Sequence, residues 1–328
     1  MTGCMIRSRA KWINDGEKPS NYFLNLENRH FTNKIIPKII ITENDIQKEV
    51  IKQEDISVEV ENFYKRLYSD NGNVDGETDN KLTDKLKDYN VPKLSEDEKE
   101  SLEGHIDYRE ASTVLRNMAN NKSPGSDGFT AEFFKVFWKK IGYFVVRSLN
   151  YGFDQRELSP TQKQGIITSI PKEGKSKFSL SNWRPISLLN VTYKIGSGCL
   201  ATRIKTVLNK IISNDQTGFI PGRYIGENSR LIYDLMNYTD THHIPGVLVM
   251  IDFEKAFDSV SWKFIIDTLQ YFNFGPSFCS WIKTFQYNAT SCVSQAGFLS
   301  KFFMLGRGCR QGDPISPYIF YYALKSWP

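Results

Sequence analysis

An aspartate at the end of an apolar run is the residue in this sequence best suited to chemistry. Residues Gly246–Phe253 (GVLVMIDF) are almost wholly apolar until Asp252, as expected of a buried strand that delivers a carboxylate to a sheet edge. Such a carboxylate, with the Phe253 carbonyl beside it, could bind a divalent metal, and a two-metal site stabilises both oxygens in phosphoryl transfer. Taken alone, Asp252 fits at least as well as a strand-end residue that caps the next helix.

Two neighbours of this aspartate share the first turn of the helix predicted to follow. Phe257 could pack beneath a deoxyribose and collide with a ribose 2′-hydroxyl, although a core role explains it equally well. Asp258 is expected to face solvent or to pair locally.

A glycine-rich loop near the C-terminus is the second candidate. In GRGCRQGDPISP, Gln311 and Gly312 precede a helix expected to begin near Ser316, with Pro317 in its first turn. Because glycine allows close approach of the backbone, this loop could lie against a nucleotide or template. An ordinary loop before a capped helix is the alternative.

The third candidate is a basic stretch over residues 170–189, with aromatic side chains between the cations. Its hairpin-like sequence includes Lys172 and Arg184, with Phe178 and Trp183 interleaved. Such side chains suit phosphate neutralisation and base stacking, although most charge runs are simply solvated surface.

The elements that must position these residues follow from periodicity and capping signals. Helical spacing predicts an amphipathic helix over residues 44–69, and residues 70–80 form a polar loop. A capping box at Ser95 and Glu98 opens a short helix that runs to about Leu102, and another covers Tyr108–Asn117.

A Gly/Pro cluster at residues 122–128 (KSPGSDG) breaks the chain before further elements. Thr130 is predicted to cap a core-facing helix whose apolar stripe comprises Phe133, Phe134, Phe137, Ile141, Val145 and Leu149. Gly165–Pro171 is β-rich, and one helix is expected from Phe257 to Phe272.

Composition limits the class of protein. Of the 328 residues, 40% are hydrophobic and 24% charged, as in soluble globular proteins, and no apolar run approaches the length of a membrane span. The five cysteines form no C-x-x-C pair, which argues against a disulfide framework or a zinc module.

The net charge of +5 is unevenly distributed along the chain. Residues 1–103 hold 16 Lys and Arg against 21 Asp and Glu, whereas residues 104–328 hold 26 against 16. A basic C-terminal part fits a nucleic-acid partner, because cations neutralise phosphates and release counterions.

The order of the motifs is more specific than any one of them. The segments KSPGSDG, NWRPISLL, DQTGFIPGR, IDFEKAFDSV and GRGCRQGDPISP follow one another over residues 110–328. In this order the chain resembles the reverse transcriptase of non-LTR (LINE-type) retrotransposons, and is less similar to the group II intron type. Upstream, residues 8–29 and 61–69 (ENFYKRLYS) resemble the segment that precedes the polymerase in these elements.

The resemblance implies an α+β fold, namely the fingers and partial palm of a right-hand polymerase around a small antiparallel sheet. A mostly helical N-terminal extension would occupy residues 1–103 and the reverse transcriptase domain residues 104–328. By resemblance, Asp252 is the first metal ligand of the palm, with the Phe253 carbonyl beside it, and Phe257 selects deoxyribonucleotides. Gln311 and Gly312 match the loop that contacts the incoming nucleotide. Lys172 and Arg184 match basic positions of the fingers. Gly125, Asp127 and Gly128 match an early fingers motif of structural role.

The implied activity is RNA-directed DNA polymerisation from a primer 3′-hydroxyl, with an RNA template, a DNA primer, deoxynucleoside triphosphates and Mg²⁺. The family carries a Tyr/Phe-Ala-Asp-Asp hairpin soon after the helix at Ser316, and these 328 residues contain none. We therefore expect this chain to be inactive, with a two-metal site only in the complete protein, and to expose an unpaired sheet edge. A non-catalytic nucleic-acid-binding remnant is the alternative. The family implies an intracellular protein that works in the nucleus, with no membrane partner.

Overall fold

The computed structural model describes residues 36–43, 46–70, 92–212, 216–218, 220 and 222–325, which contain both helices and strands. In chain order the strands are β1 (Ile39–Glu43), β2 (Ile46–Val50), β3 (Gln164–Pro171), β4 (Trp183–Leu189), β5 (Thr290–Gln295), β6 (Phe298–Leu299) and β7 (Phe303–Met304). The α-helices are α1 (Gln53–Tyr68), α2 (Glu96–Ser101), α3 (Tyr108–Asn117), α4 (Ala131–Asp154), α5 (Pro160–Lys163), α6 (Val191–Ile211), α7 (Gly226–Thr241), α8 (Ala256–Ser259), α9 (Trp262–Tyr271), α10 (Pro276–Gln286) and α11 (Ser316–Lys325). In the described ranges, no helix combines the length and the apolar character that crossing a membrane requires.

A five-stranded sheet lies at the centre, in the order β4-β3-β5-β6, with β7 also paired to β5. The predicted β-rich run at Gly165–Pro171 forms β3, which pairs with β4 as the expected antiparallel hairpin, from Gly165 opposite Leu189 to Pro171 opposite Trp183. The sheet is antiparallel except where β3 runs parallel to β5. The expectation of an α+β protein with a small, mainly antiparallel sheet is therefore met.

The N-terminal segment packs onto this sheet. The helix predicted from residue 44 begins only at Gln53, because residues 46–50 pair with β1 as strand β2. One face of α1 is buried (Ile56, Val60, Tyr64 and Tyr68) and shares a hydrophobic cluster with Ile167, Trp183, Val293 and Phe303 of the sheet. Of the predicted polar loop at 70–80, only Asp70 lies within the described residues.

The next two helices lie where the sequence predicts them. Ser95 and Glu98 form the predicted capping box of α2, and α3 spans the predicted residues behind a second box at Asp107 and Glu110. In each box the side chains satisfy N–H groups that the helix itself leaves unpaired.

The long helix α4 begins after Thr130 as predicted, but its buried stripe is rotated from the predicted one. Phe134, Trp138, Val146 and Leu149 are buried, whereas Phe137 is 41% exposed. Gly142 allows the rotation, because a Cβ there would lie 2.6 Å from the Trp138 ring.

Helix α6 forms the centre of the second hydrophobic cluster. Thirteen of its residues are buried, and it packs against α3, α4 and α11. Helices α9 and α10 complete this cluster, which also contains Leu94, Leu102 and Ile106.

The prediction of a strand at Gly246–Phe253 is wrong. Residues 244–253 form no strand, and no described strand lies beside them to pair their backbone groups. The single helix expected from Phe257 to Phe272 is also wrong, because extended backbone at Val260 divides it into α8 and α9.

Candidate functional site

Asp252 and Phe253 lie in the exposed segment rather than at the end of a buried strand. Asp252 is exposed, and Phe253 is 37% exposed. The described residues contain no group of three or more His, Cys, Asp or Glu side chains that could hold a metal ion. The carboxylate expected to bind a metal therefore lacks a set of further ligands among the described residues.

Phe257 is packed among other side chains. Its ring stacks on Phe320 of α11 with centroids 4.2 Å apart, and its carbonyl accepts a hydrogen bond from the Cys309 N–H at 2.6 Å. Both contacts join the start of α8 to the C-terminal loop and helix. In this arrangement Phe257 is half-buried.

Asp258 is buried, with 2% exposure, and is bonded to a residue 190 positions away, which contradicts the expectation that it faces solvent or pairs locally. The Tyr68 hydroxyl donates to its Oδ1 at 2.7 Å, and Gln311 Nε2 donates to its Oδ2 at 3.4 Å. Burial raises the pKa of Asp258 to about 6, against the hydrogen bond from Tyr68 and the positive charges of Lys255 and Lys172. A carboxyl group that titrates near neutral pH thus joins helix α1 to the glycine-rich loop.

The glycine-rich loop is held against strand β4. The Ser187 N–H donates to the Gln311 carbonyl at 2.7 Å. Gly312 has φ +113°, and a Cβ there would lie 2.7 Å from the Ser187 carbonyl oxygen. Gly308 (φ +88°) lies equally close to the Asp258 carbonyl oxygen. Glycine is required at both positions by backbone conformation and by close approach.

Two buried charged side chains fix the same loop from the other side. Asp313 accepts hydrogen bonds from the hydroxyls of Tyr193 (3.0 Å) and Ser197 on α6. Arg310 donates to the Lys163 carbonyl at 3.0 Å and lies over the Tyr193 ring. The loop is therefore a rigid element whose conformation is set by strand β4 and helix α6.

Of the two predicted basic residues, the structure brings only Lys172 to this region. Lys172 is half-buried, and its charge acts against the raised pKa of Asp258. Burial lowers the pKa of Lys255, and the charge of Lys172 lowers it further. Lys255, which the sequence did not single out, is in the left-handed conformation (φ +50°) with its ammonium 4.2 Å from the Phe63 ring centroid. Arg184 is exposed on β4 and has no contact with this group.

Trp183 of the basic hairpin is not available for base stacking. Trp183 is 2% exposed, and its indole N–H donates to the Lys177 carbonyl at 3.0 Å. It is therefore a core residue that closes the hairpin.

The KSPGSDG segment docks on the start of helix α6. A Cβ at Gly125 would lie 2.0 Å from Asn190 Oδ1 and 2.5 Å from the Asn190 backbone nitrogen. Ser126 and the Asp127 N–H also contact the Asn190 side chain. The geometry supports a structural role for this motif.

The assembled group comprises Lys172, Lys255, Asp258, Gln311 and the backbone of Gly312, at the junction of β4, α8 and helix α1. Two cations and an amide side chain can bind phosphate oxygens and polar base edges, and the pinned loop can present backbone groups to a ligand. Sequence patterns missed Tyr68 and Asp258, because their contact spans 190 residues.

The sequence of the chain is similar to those of known proteins. Residues 170–327 match the family described as "Reverse transcriptase (RNA-dependent DNA polymerase)". The chain is 34% identical over 323 residues, 98% of its length, to "Transposon TX1 uncharacterized 149 kDa protein" of Xenopus laevis, of which it covers 24%. It is 27% identical over 200 residues (61% of the chain, 18% of the relative) to "Retrovirus-related Pol polyprotein from type-2 retrotransposable element R2DM" of Drosophila melanogaster.

A third relative is "RNA-directed DNA polymerase from mobile element jockey" of Drosophila melanogaster, which is 22% identical over 217 residues (66% of the chain, 24% of the relative). The chain thus spans about a quarter or less of the length of these relatives. The family match and the retrotransposon relatives agree with the order of its motifs, and residues 170–327 belong to the reverse transcriptases, of the non-LTR, LINE-type retrotransposon kind.

Proposed function

We propose that this chain is part of an RNA-directed DNA polymerase of a non-LTR retrotransposon, which adds deoxynucleotides to a primer 3′-hydroxyl on an RNA template. The observation that carries the proposal is the pinned Gln311–Gly312 loop, whose carbonyl and side chain are held by Ser187 and Asp258. A loop fixed before the substrate arrives can orient a nucleotide without loss of conformational entropy on binding.

Within this proposal, Lys172 and Lys255 would neutralise the triphosphate, and Gln311 with Gly312 would contact the incoming nucleotide and template. Phe257 would select deoxyribose, which requires its ring to face the nucleotide, whereas its stacking on Phe320 also suits a core role. Arg184, exposed at the edge of the sheet, would contact nucleic acid farther from the loop. Asp252, with the Phe253 carbonyl, would bind Mg²⁺ once further ligands join it.

The division into an extension at 1–103 and a polymerase domain at 104–328, with fingers and partial palm, is likewise our proposal. The shared cluster of α1 with the sheet supports an extension that acts as one body with the polymerase. The polymerase would act in the nucleus, by analogy with elements of this family.

The test is primer extension with an RNA template, a DNA primer, deoxynucleotides and Mg²⁺, on the 328-residue chain and on any longer product of the same reading frame. We expect no incorporation by the 328-residue chain, because the described residues bring no three His, Cys, Asp or Glu side chains together to hold a metal ion. Incorporation by either protein that is lost in Asp252→Ala would establish the polymerase and the role of this residue.

The second candidate function is non-catalytic nucleic-acid binding, favoured by the excess of cations over residues 104–328. It predicts no incorporation by any product, together with RNA affinity that falls steeply with salt. Salt-insensitive binding, or none, would contradict it.

A further inference from the structure

The outer face of helix α4 combines exposed aromatic rings with cations. At 3.6 residues per turn, six of its residues lie on one side of the helix, opposite the buried stripe (Phe137, Lys140, Tyr143, Phe144, Arg147 and Tyr151). We call these six residues the outer face. Three of its rings are largely exposed to solvent: Tyr143 is 64%, Phe144 66% and Tyr151 66% exposed.

The charge of this face has one sign. Between Glu132 and Asp154 helix α4 carries four cations and no acidic residue. Lys140 and Arg147 are exposed, and neither forms an ion pair with any residue in the described part of the chain. An unpaired cation beside an exposed ring suits a polyanion whose bases can stack.

Helix α7 provides the contrast. It also exposes aromatic rings, Tyr233 at 61% and Tyr238 at 55%, but it carries Glu227, Asp234 and Asp240 against a single arginine. That arginine, Arg230, is paired with Asp234 at 2.8 Å. Exposed rings thus occur on both helices, and only α4 combines them with unneutralised positive charge.

We propose that the outer face of α4 binds single-stranded RNA. The rings would stack on bases while Lys140 and Arg147 contact the phosphates between them. From Phe137 to Tyr151 the face is about 21 Å long at 1.5 Å per residue, roughly the span of six nucleotides. The inference rests on the proposed function only in identifying this RNA as the unpaired template, and the binding itself is tested without polymerisation.

The first experiment measures fluorescence anisotropy of labelled oligouridylates with the whole 328-residue chain. Lys140→Glu with Arg147→Glu should weaken binding at least tenfold and reduce the salt slope by about 0.7 for each cation removed. Tyr143→Ala with Phe144→Ala should weaken binding about tenfold or more. The free energy of binding that the outer face contributes should stop increasing once the oligouridylate is longer than about six nucleotides, because the face is no longer than that.

Two controls separate this site from general electrostatics and from misfolding. Tyr233→Ala with Tyr238→Ala on α7 removes rings of similar exposure and should leave RNA affinity unchanged. Tyr143→Phe with Tyr151→Phe keeps the rings and should bind as the unaltered chain. Inorganic polyphosphate should bind the Tyr143→Ala, Phe144→Ala variant normally, because it has no bases to stack.

Three results would overturn the proposal. One is unchanged RNA affinity in the outer-face variants while their circular dichroism and thermal unfolding match the unaltered chain. Another is polyglutamate binding as tight as that of RNA and equally sensitive to the ring substitutions, which would identify an acidic protein partner. The third is a dimer in sedimentation that the ring substitutions dissociate without effect on RNA affinity, which would make the face a contact between copies of the chain. In any longer product of the reading frame that incorporates deoxynucleotides, loss of RNA binding by the same substitutions with normal primer extension would separate this site from the polymerase function.

Discussion

Two apolar stretches of this chain have opposite environments. Helix α6 buries thirteen residues at the centre of a cluster, whereas the arm formed by α7 and residues 244–253 buries none. Within the arm, Val247 is 89% and Ile251 79% exposed, although both are as apolar as Leu200 of α6, which is fully buried. The difference lies in the partners: α6 is surrounded by α3, α4 and α11, and no described strand pairs with residues 244–253.

The exposed arm ends and the buried part of the protein begins between two aspartates, Asp252 and Asp258, which lie six residues apart in the sequence. Asp252 is exposed on the arm, and Asp258 is buried beneath Tyr68. Asp252, which resembles a metal ligand, belongs to no group of three or more potential ligands among the described residues, whereas Asp258, expected to face solvent or to pair locally, is part of the core. An aspartate's role is thus set by what packs around it more than by its position in a motif.

Core truncation should give the largest contrast between the two regions. Leu200→Ala should lower the free energy of unfolding by about 2–5 kcal/mol, because it opens a cavity among fully buried side chains. The matched change Leu248→Ala on the arm should cost less than about 0.5 kcal/mol. Urea unfolding of both variants measures the difference, and equal costs would mean that the arm is packed in solution.

The two aspartates should differ in their effect on the pH dependence of stability. Because burial raises the pKa of Asp258 to about 6, its contribution to stability is complete below about pH 4 and lost as pH rises through 6. At about 1.4 kcal/mol per pKa unit, the loss is on the order of 3 kcal/mol. Asp258→Asn should remove this slope and be no less stable than the unaltered chain at pH 8.

Asp252→Asn is the matched control. The Asp252 side chain is exposed, so this substitution should leave the slope of stability against pH unchanged. Urea unfolding at several pH values between 4 and 8 measures both variants. A slope that persists in Asp258→Asn would assign the titration to another group.

Sequence patterns located elements whose signals are local. The capping box at Ser95 and the hairpin of β3 and β4 depend on residues close together in the chain, and the described structure contains both. The prediction of a strand at 246–253 was wrong, because a strand needs neighbouring strands to pair with, and the apolar pattern of a segment does not show whether such strands are present.

The site illustrates the same limit. Glycine spacing and motif order indicated Gln311 and Gly312, but the contact between Tyr68 and Asp258 depends on packing that no local pattern reports. The predicted burial of Phe137 was wrong: its neighbour Trp138 is buried instead, against Gly142, where a Cβ would lie 2.6 Å from the Trp138 ring.

The hydroxyl of Tyr68 should matter more than that of Tyr64, one turn earlier on the same helix. Tyr68→Phe leaves a buried carboxyl without its closest donor and should cost about 1–3 kcal/mol above pH 6. It should also raise the pKa of Asp258 further, since the hydrogen bond from Tyr68 lowers it. The decline in stability with rising pH should therefore extend to higher pH.

Tyr64→Phe removes a hydrogen bond to the Ser169 hydroxyl at 2.9 Å, a neutral partner. It should cost about 1 kcal/mol and leave the pH dependence unchanged. If both variants shift the pH dependence equally, Asp258 responds to the packing of α1 as a whole rather than to one donor.

The smallest effect on stability, and the sharpest test of the arm, should come from adding charge there. Val249→Lys with Ile251→Lys places two cations on side chains that are 70% and 79% exposed, so the free energy of unfolding should change by less than about 0.5 kcal/mol. The soluble fraction after expression should rise, because the change interrupts an apolar, unpaired segment able to associate with other chains. Val293→Lys, at a residue 2% exposed in β5, should instead prevent folding. A large loss of stability in the arm variant would mean that residues 244–253 bury their side chains in solution.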